Sequence, residues 1–206
     1  QGSYVGGLFV FESKLTQEFR LHFDEKIAEM FQSIGIREGS VWIEVFHDGE
    51  NYYFNEVGFR YGGSVSIYPV DYFYQINQVA ADIHYALTGE SCISEHTSLI
   101  RSTLPRKKYY CIYPVHINAG TISSISGLDK IAQLENIVYL ATTKYLHDRI
   151  ESSGSFSQVF ALVHFVCNTT EECIQTIDRI HQMLVVFDEH GNNMVNRMLD
   201  VGKIIF

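Results

Sequence analysis

VWIEVFHDGENYYFNEVGFRYGG, residues Val41 to Gly63, reads as two strands joined by a tight turn and followed by a glycine loop. Each strand carries an acid inside an apolar, aromatic-rich run, Glu44 in the first and Glu56 in the second, and Arg60 stands at the exit. An uncompensated carboxylate in such a run is expensive, so the pattern points to a cation between the acids: a divalent metal ion, Arg60, or both. Register decides whether this is feasible, because strand side chains alternate faces and a slip of one residue sends a side chain to the other side. Glu44 and Glu56 bracket an odd number of residues, so a hairpin centred on Glu50 sets them directly across from each other. A two-residue Asp48-Gly49 turn, the commonest reading of an Asp-Gly pair, would put them on opposite faces. The metal reading therefore requires an odd loop, Gly49-Glu50-Asn51.

These residues resemble the ATP-grasp superfamily of carboxylate-amine ligases, in which a glutamate on one strand and a Glu-x-(Asn or small)-x-Arg signature on the next supply carboxylates for magnesium. The matching residues are Glu44, then Glu56-Val57-Gly58-Phe59-Arg60, followed by Tyr61-Gly62-Gly63. The spacing of the acids, and that from Glu56 to Arg60, is similar to the biotin carboxylase branch, while the Gly-x-Arg-x-Gly-Gly ending resembles the L-amino acid ligase branch. Carbamoyl phosphate synthase large subunits and purine-type carboxylation use a similar hairpin. Gly58 departs from the pattern: it stands where many members carry an asparagine ligand, which implies a metal bond that is missing or supplied by water.

The resemblance implies an α+β fold: the C-terminal part of an ATP-grasp module, an antiparallel sheet with packed helices, followed by a small strand-rich α+β lobe. Residues 1–94 would hold the ATP-grasp portion with the metal and phosphate hairpin at 41–63, residues 95–105 a linker, and residues 106–206 the lobe. It implies Glu44 and Glu56 as ligands of Mg2+ (or Mn2+), Arg60 as the catalytic residue gripping an acylphosphate or substrate carboxylate, and Gly62 and Gly63 as backbone donors to the phosphates of ATP. The implied reaction is ATP-driven ligation, in which a carboxylate becomes an acylphosphate that an amine or similar nucleophile captures. The upstream lysines, glycine-rich phosphate loop and adenine-binding strand of the family have no counterpart here, and the chain opens on Gln1-Gly2-Ser3, a pattern common in tag remnants. The expectation is thus an inactive fragment of a longer ligase. Its partners would be small-molecule carboxylate and amine substrates and the missing N-terminal part, with a homodimer left open. The alternative from another class is a non-catalytic scaffold or partner-binding lobe derived from the same fold, mildly favoured by Gly58.

Composition bounds these readings. With 206 residues and 46% hydrophobic content the chain can build a real core. A formal net charge of -9 and a pI near 5.4 argue against a nucleic-acid-binding surface, and Arg106-Lys107-Lys108 is too short for a phosphate track. Cys92, Cys111, Cys167 and Cys173 show neither CxxC pairing nor zinc-type spacing and read as free thiols of a reducing, cytoplasmic setting. No run approaches the ~20 apolar residues of a membrane span.

Elsewhere the pattern supplies packing elements. Leu8–Phe11 is strand-like. Phe19, Phe23, Ile27, Met30 and Phe31 recur at helical spacing over 15–33 and read as core. A second helix is expected from Asp71 or Tyr72 to Leu87, with Ile76, Val79, Ala80, Ile83 and Leu87 on one face, Asn77 and Asp82 as plain polar-face residues, and Gly89 at its end. Beyond a Ser/Thr-rich stretch, strands are expected at Tyr109–Ile117, Gly120–Ser126, Ile137–Thr142 and Phe156–Cys167, with a short helix within 127–134. Thr169-Thr170-Glu171-Glu172 forms a capping box for a helix burying Ile174, Ile177, Ile180 and Leu184, and final strands or turns are expected at Val185–Phe187, Asp188–Asn192 and Ile204–Phe206. The scattered histidines, His164 among them, read as core or surface residues.

Overall fold

The computed structural model describes residues 6–63, 65–93, 108–197, 199, 200 and 204. The chain runs β1 (Phe9–Phe11), α1 (Lys14–Ser33), β2 (Trp42–His47), β3 (Tyr52–Gly58), α2 (Ile67–Tyr74) and α3 (Gln78–Thr88). It continues through β4 (Tyr109–Ile117), β5 (Gly120–Ser126), α4 (Leu128–Ala132), β6 (Ile137–Thr142), β7 (Arg149–Ile150), β8 (Val159–Cys167), α5 (Thr170–Met183), β9 (Val185–Asp188) and β10 (Val195–Asn196). These elements form two compact units, Gln1–Glu18 with Arg106–Phe206, and Phe19–Pro105; the division falls inside α1. The stretch expected as a linker, 95–105, lies outside the described residues, as do Ile205 and Phe206 of the expected final strand.

The larger unit is organised on β4 and β8, which pair antiparallel along nearly their whole lengths, Tyr109 opposite Cys167 and Val115 opposite Ala161. β1 and β10 pair with β4, and β6 with β8, all antiparallel. Both central strands are almost continuously buried, as expected of strands covered on both faces. β5 is the middle strand of a second antiparallel sheet, between β7 and β9. The expected strand from Phe156 begins instead with a 3-10 turn over Phe156–Gln158, in which Ser155 caps the N-H of Ser157, and extends only from Val159.

The capping box opens α5 with a shift of one residue. Thr169 Oγ1 accepts from the Glu172 N-H at 3.2 Å, while the Glu172 carboxylate accepts from the N-H of Asn168 at 2.7 Å. The buried face of α5 is Cys173, Thr176, Ile177 and Ile180, continued by Leu184. Ile174, expected in that stripe, is only half-buried, because Cys173 keeps the i, i+4, i+7 spacing with Ile177 and Ile180 and Ile174 lies about a quarter turn off it. Thr176 satisfies its hydroxyl twice, donating to the Glu172 carbonyl and accepting from Asn136 Nδ2, each at 2.8 Å.

One buried and one half-buried histidine are tied to tyrosines. His164, fully buried on β8, shares a 2.9 Å hydrogen bond with Tyr110 through Nδ1. His181 Nε2 and the Tyr113 hydroxyl lie 2.6 Å apart; burial pushes Tyr113 up to about 12, so its proton stays on.

In the smaller unit, Phe19 and Phe23 of α1 pack edge-on or tilted against Tyr52 and Phe54 of β3, with ring centroids 5.3–5.9 Å apart. The expected helical stripe is thus real, yet no residue of α1 is buried and Met30 is half-exposed, because the surface beneath it is a sheet of only two strands. The single helix expected from 71 to 87 is two. Gln75 ends α2 in the left-handed region (φ 57°), and Asn77 starts α3 by accepting the Ala80 N-H at 3.0 Å. Asn77 is therefore a cap rather than a polar-face residue. The break also breaks the expected apolar face: Phe73, Ile76 and Ala81 are buried, whereas Leu87 is 81% exposed. No helix among the described residues is long and apolar enough to cross a membrane.

Two glycines of the larger unit separate steric from conformational cost. Gly127, at φ +94°, initiates α4, and a Cβ there would lie 1.9 Å from the Met183 carbonyl oxygen. Gly127→Ala is expected to cost about 3 kcal/mol or more, against about 1 kcal/mol for the left-handed backbone alone. The second figure is what Gly191→Ala should show in the same urea titration, since Gly191 has φ +81° and open space around its Cα.

Burial, reinforced by Arg197 and opposed by Asp178, holds His181 below its ordinary 6.5, and burial lowers His116 likewise. Below 6.5 the unfolded chain takes up protons that the folded chain refuses, so stability is complete above that pH and falls on acidification toward the folded values. The urea midpoint should drop between about pH 7.5 and about pH 5.5, and His181→Gln should remove part of that slope.

Candidate functional site

The β2–β3 turn is built on Asp48. Its Oδ1 accepts the N-H groups of Glu50 (2.9 Å) and Asn51 (2.8 Å), and its Oδ2 accepts the Tyr53 hydroxyl at 2.9 Å. These bonds, led by the Asn51 and Glu50 backbone, hold the carboxyl down to about 2. The Asp48 N-H also donates to the Asn51 carbonyl at 3.3 Å, and Gly49 takes φ +107°. The turn therefore closes on Gly49 and Glu50, an even loop rather than the odd loop Gly49-Glu50-Asn51 that the sequence was expected to need.

Parity is restored elsewhere. His47, Phe46 and Val45 oppose Tyr52, Tyr53 and Phe54, and the register then shifts so that Glu44 opposes Glu56, Ile43 opposes Val57 and Trp42 opposes Gly58. Asn55 is the extra residue of a β-bulge. By alternation, Trp42, Glu44 and Phe46 share one face with Tyr53, Glu56 and Gly58, whereas Val45, Phe54 and Tyr52 occupy the face on which the α1 aromatics pack.

Like charges directly opposite destabilise a ladder, and each acid here has its own counterweight. Asn55 Nδ2 donates to Glu44 Oε2 at 2.6 Å, and Arg60 Nη2 lies 3.6 Å from Glu56 Oε1, both side chains of that ion pair being about half exposed (56% and 54%). The Arg60 guanidinium also sits 5.1 Å from the Trp42 ring and donates from Nη1 to the Tyr61 carbonyl at 2.9 Å. The structure thus brings Glu44, Glu56 and Arg60 onto one small surface and adds Asn55, which sequence reasoning missed. An asparagine in a strand of otherwise β-favouring residues, next to an acid whose pairing parity was wrong for the turn, was the available signal.

The glycines differ in what they do. A Cβ on Gly62 would lie 2.6 Å from Ser66 Oγ and 2.8 Å from the Trp42 ring, so the loop passes close under the indole and needs a glycine there. Around Gly63 there is open space. The Tyr61 phenol that follows Arg60 is pushed up by burial and by the nearby Asp82 carboxylate. Asp82, expected as an ordinary polar-face residue of the helix, lies close enough to Tyr61 to add to that shift.

No family model and no curated protein matches the sequence. Solved structures do match its fold. The chain is similar to L-amino acid ligase from Bacillus licheniformis (TM-score 0.72, 21% identity), covering 90% of this chain and 45% of that one. It is also similar to phosphoribosylglycinamide synthetase from Anaerococcus prevotii (TM-score 0.67, 14% identity, 91% of this chain and 48% of that one). A third is the biotin carboxylase domain of the Hydrogenobacter thermophilus 2-oxoglutarate carboxylase, solved with MgADP, ADP and bicarbonate (TM-score 0.65, 14% identity, 95% and 41%). The architecture is that of ATP-grasp domains, mixed α/β with antiparallel sheets and packed helices. At these identities the likeness concerns the fold, and the chain spans less than half the length of each of the three.

Trp42 is the sole tryptophan of the chain, so its emission reports on this surface. Gly62→Ala should displace the indole, shifting its emission and costing about 1–3 kcal/mol of stability. Gly63→Ala should leave the spectrum unchanged; equal spectra for the two variants would contradict the close passage of the loop.

Proposed function

We propose that the face bearing Glu44, Glu56, Asn55 and Arg60 is the metal and phosphate site of an ATP-dependent carboxylate-amine ligase. The observation that carries this reading is the direct opposition of Glu44 and Glu56 with Arg60 alongside, in a chain of ATP-grasp fold. The donor set fits the cation of that chemistry: two carboxylates and the amide oxygen of Asn55 are all oxygen ligands, which suit Mg2+ or Mn2+. Bound there, the metal neutralises phosphate charge so that an anionic carboxylate can approach ATP.

The residues of the chain divide the remaining work. Glu44 and Glu56 hold the ion, and Asn55 orients Glu44 and takes the ligand role that glycine at position 58 cannot fill. Arg60, kept in place by stacking on Trp42, presents a planar fork that can grip a carboxylate or phosphate through two parallel bonds. The substrate carboxylate attacks the γ-phosphorus, ADP leaves, and the amine displaces phosphate from the acylphosphate to form the amide. The Gly62-Gly63 backbone lies beside Trp42 and Arg60 to receive the phosphoryl oxygens.

Because the chain spans less than half of the similar ligases and carboxylases, this turnover belongs to a protein that also carries the other half of the nucleotide cleft. The chain alone is assigned no ATP hydrolysis. Its substrates are a small carboxylic acid and a small amine or similar nucleophile, and the setting is the cytoplasm.

Glu56→Gln in the complete protein should lower ATP-dependent phosphate release at least about 100-fold with an unchanged circular dichroism spectrum. In the chain itself, Mn2+ should quench Trp42 emission, and the same substitution should relieve the quenching. Undiminished turnover in the variant would reject the metal role, and the absence of both turnover and quenching in the unaltered protein would move the reading to a non-catalytic lobe.

A further inference from the structure

Three cysteines, one of them more than 50 residues from the other two in sequence, meet in the larger unit. Cys111 lies on β4, Cys167 ends β8 and Cys173 stands in the first turn of α5. Cys111 and Cys173 are fully buried and Cys167 is 3% exposed. The Sγ atoms of Cys111 and Cys167 are 3.8 Å apart, and all three sulfurs lie within 4.8 Å of one another.

This spacing suits a shared ion better than a disulfide. Cys111 opposes Phe165 and Cys167 opposes Tyr109, so the two cysteines are diagonal neighbours on the ladder. Diagonal positions have Cα atoms about 7–8 Å apart, beyond the usual 4.4–6.8 Å of a disulfide, so closing the bond to about 2.05 Å would require the strands to move. Around a zinc ion, Zn-S bonds of about 2.3 Å set tetrahedrally placed sulfurs about 3.8 Å apart, the separation that Cys111 and Cys167 already have. The pairing of β4 with β8 and the docking of α5 hold the three side chains in place, so little ordering remains for an ion to impose.

Access and charge also agree. Cys167 borders a depression of about 780 Å³ whose wall includes Lys108 and Arg179. Three thiolates with one Zn2+ leave a single negative charge, which those two cations can offset.

We propose that Cys111, Cys167 and Cys173 form a three-thiolate site for a soft d10 metal ion, Zn2+ in the first instance, entered from the depression that Cys167 borders. Binding displaces the thiol protons to solvent and leaves the fourth zinc position to a water from that depression. No electron is transferred. Nothing in this site depends on the ligase reading of the β2–β3 hairpin, which lies in the other unit.

The test uses the reduced chain with Cd2+ as a spectroscopic probe and Zn2+ as competitor. Cd2+ should produce a thiolate-to-metal charge-transfer band that saturates at one equivalent and is displaced by Zn2+, and Zn2+ alone should raise the melting temperature by several degrees. Cys92→Ser, at an exposed position, should leave the band intact, whereas Cys173→Ala should weaken binding at least 100-fold. Absence of a band in the unaltered chain would overturn the proposal and leave three packed thiols. A band that survives in Cys173→Ala, or vanishes in Cys92→Ser, would overturn it as well. Because the unaltered chain already decides the first arm, a misfolded Cys173→Ala does not rescue the proposal.

Discussion

The antiparallel pairing of β4 with β8 is the constraint on which the larger unit rests. Two strands buried on both faces must satisfy their backbone groups against each other, because no water reaches them, and their long mutual ladder does so while leaving the apolar side chains to α5 on one face. The same ladder fixes what polar chemistry the core can hold. It sets Tyr110 against His164, brings Tyr113 within reach of His181, and carries Cys111 and Cys167 onto the diagonal where Cys173 joins them. Each is a pairing of residues more than 50 positions apart in sequence.

In the smaller unit the governing constraint is parity. The Asp48 carboxylate, fully engaged by two backbone N-H groups and a tyrosine, closes an even turn, which alone would have set Glu44 and Glu56 on opposite faces. The Asn55 bulge reverses that outcome and supplies the amide that steadies Glu44. Bulges re-aim side chains at functional positions in many sheets. Here one residue both corrects the register and hydrogen-bonds Glu44, which gives the hairpin a structural reason for an otherwise unfavourable asparagine.

Charge on this face is partly offset within the hairpin: Arg60 spans Glu56 and Trp42, and the neutral Asn55 amide holds Glu44. These contacts are largely exposed and screened, so they contribute little stability; their value lies in placing an oxygen-rich pair and a guanidinium together. The loop that follows passes close under Trp42 at Gly62, which ties its path to the hairpin.

The sequence by itself determined β4, β5, β6, most of β8 and the helix α5, the capping at Thr169 and the ATP-grasp resemblance, because continuous apolar runs, helical spacing and short motifs are local signals. Only the tertiary structure decided how the acids come to face each other, that Asn77 caps a second helix where one was expected, and that Cys111, Cys167 and Cys173 converge. Those outcomes depend on a bulge, a left-handed residue at Gln75 and a strand pairing across more than 50 residues. Each is set by contacts between segments rather than by the pattern within one, and a linear reading of residue types carries no term for them.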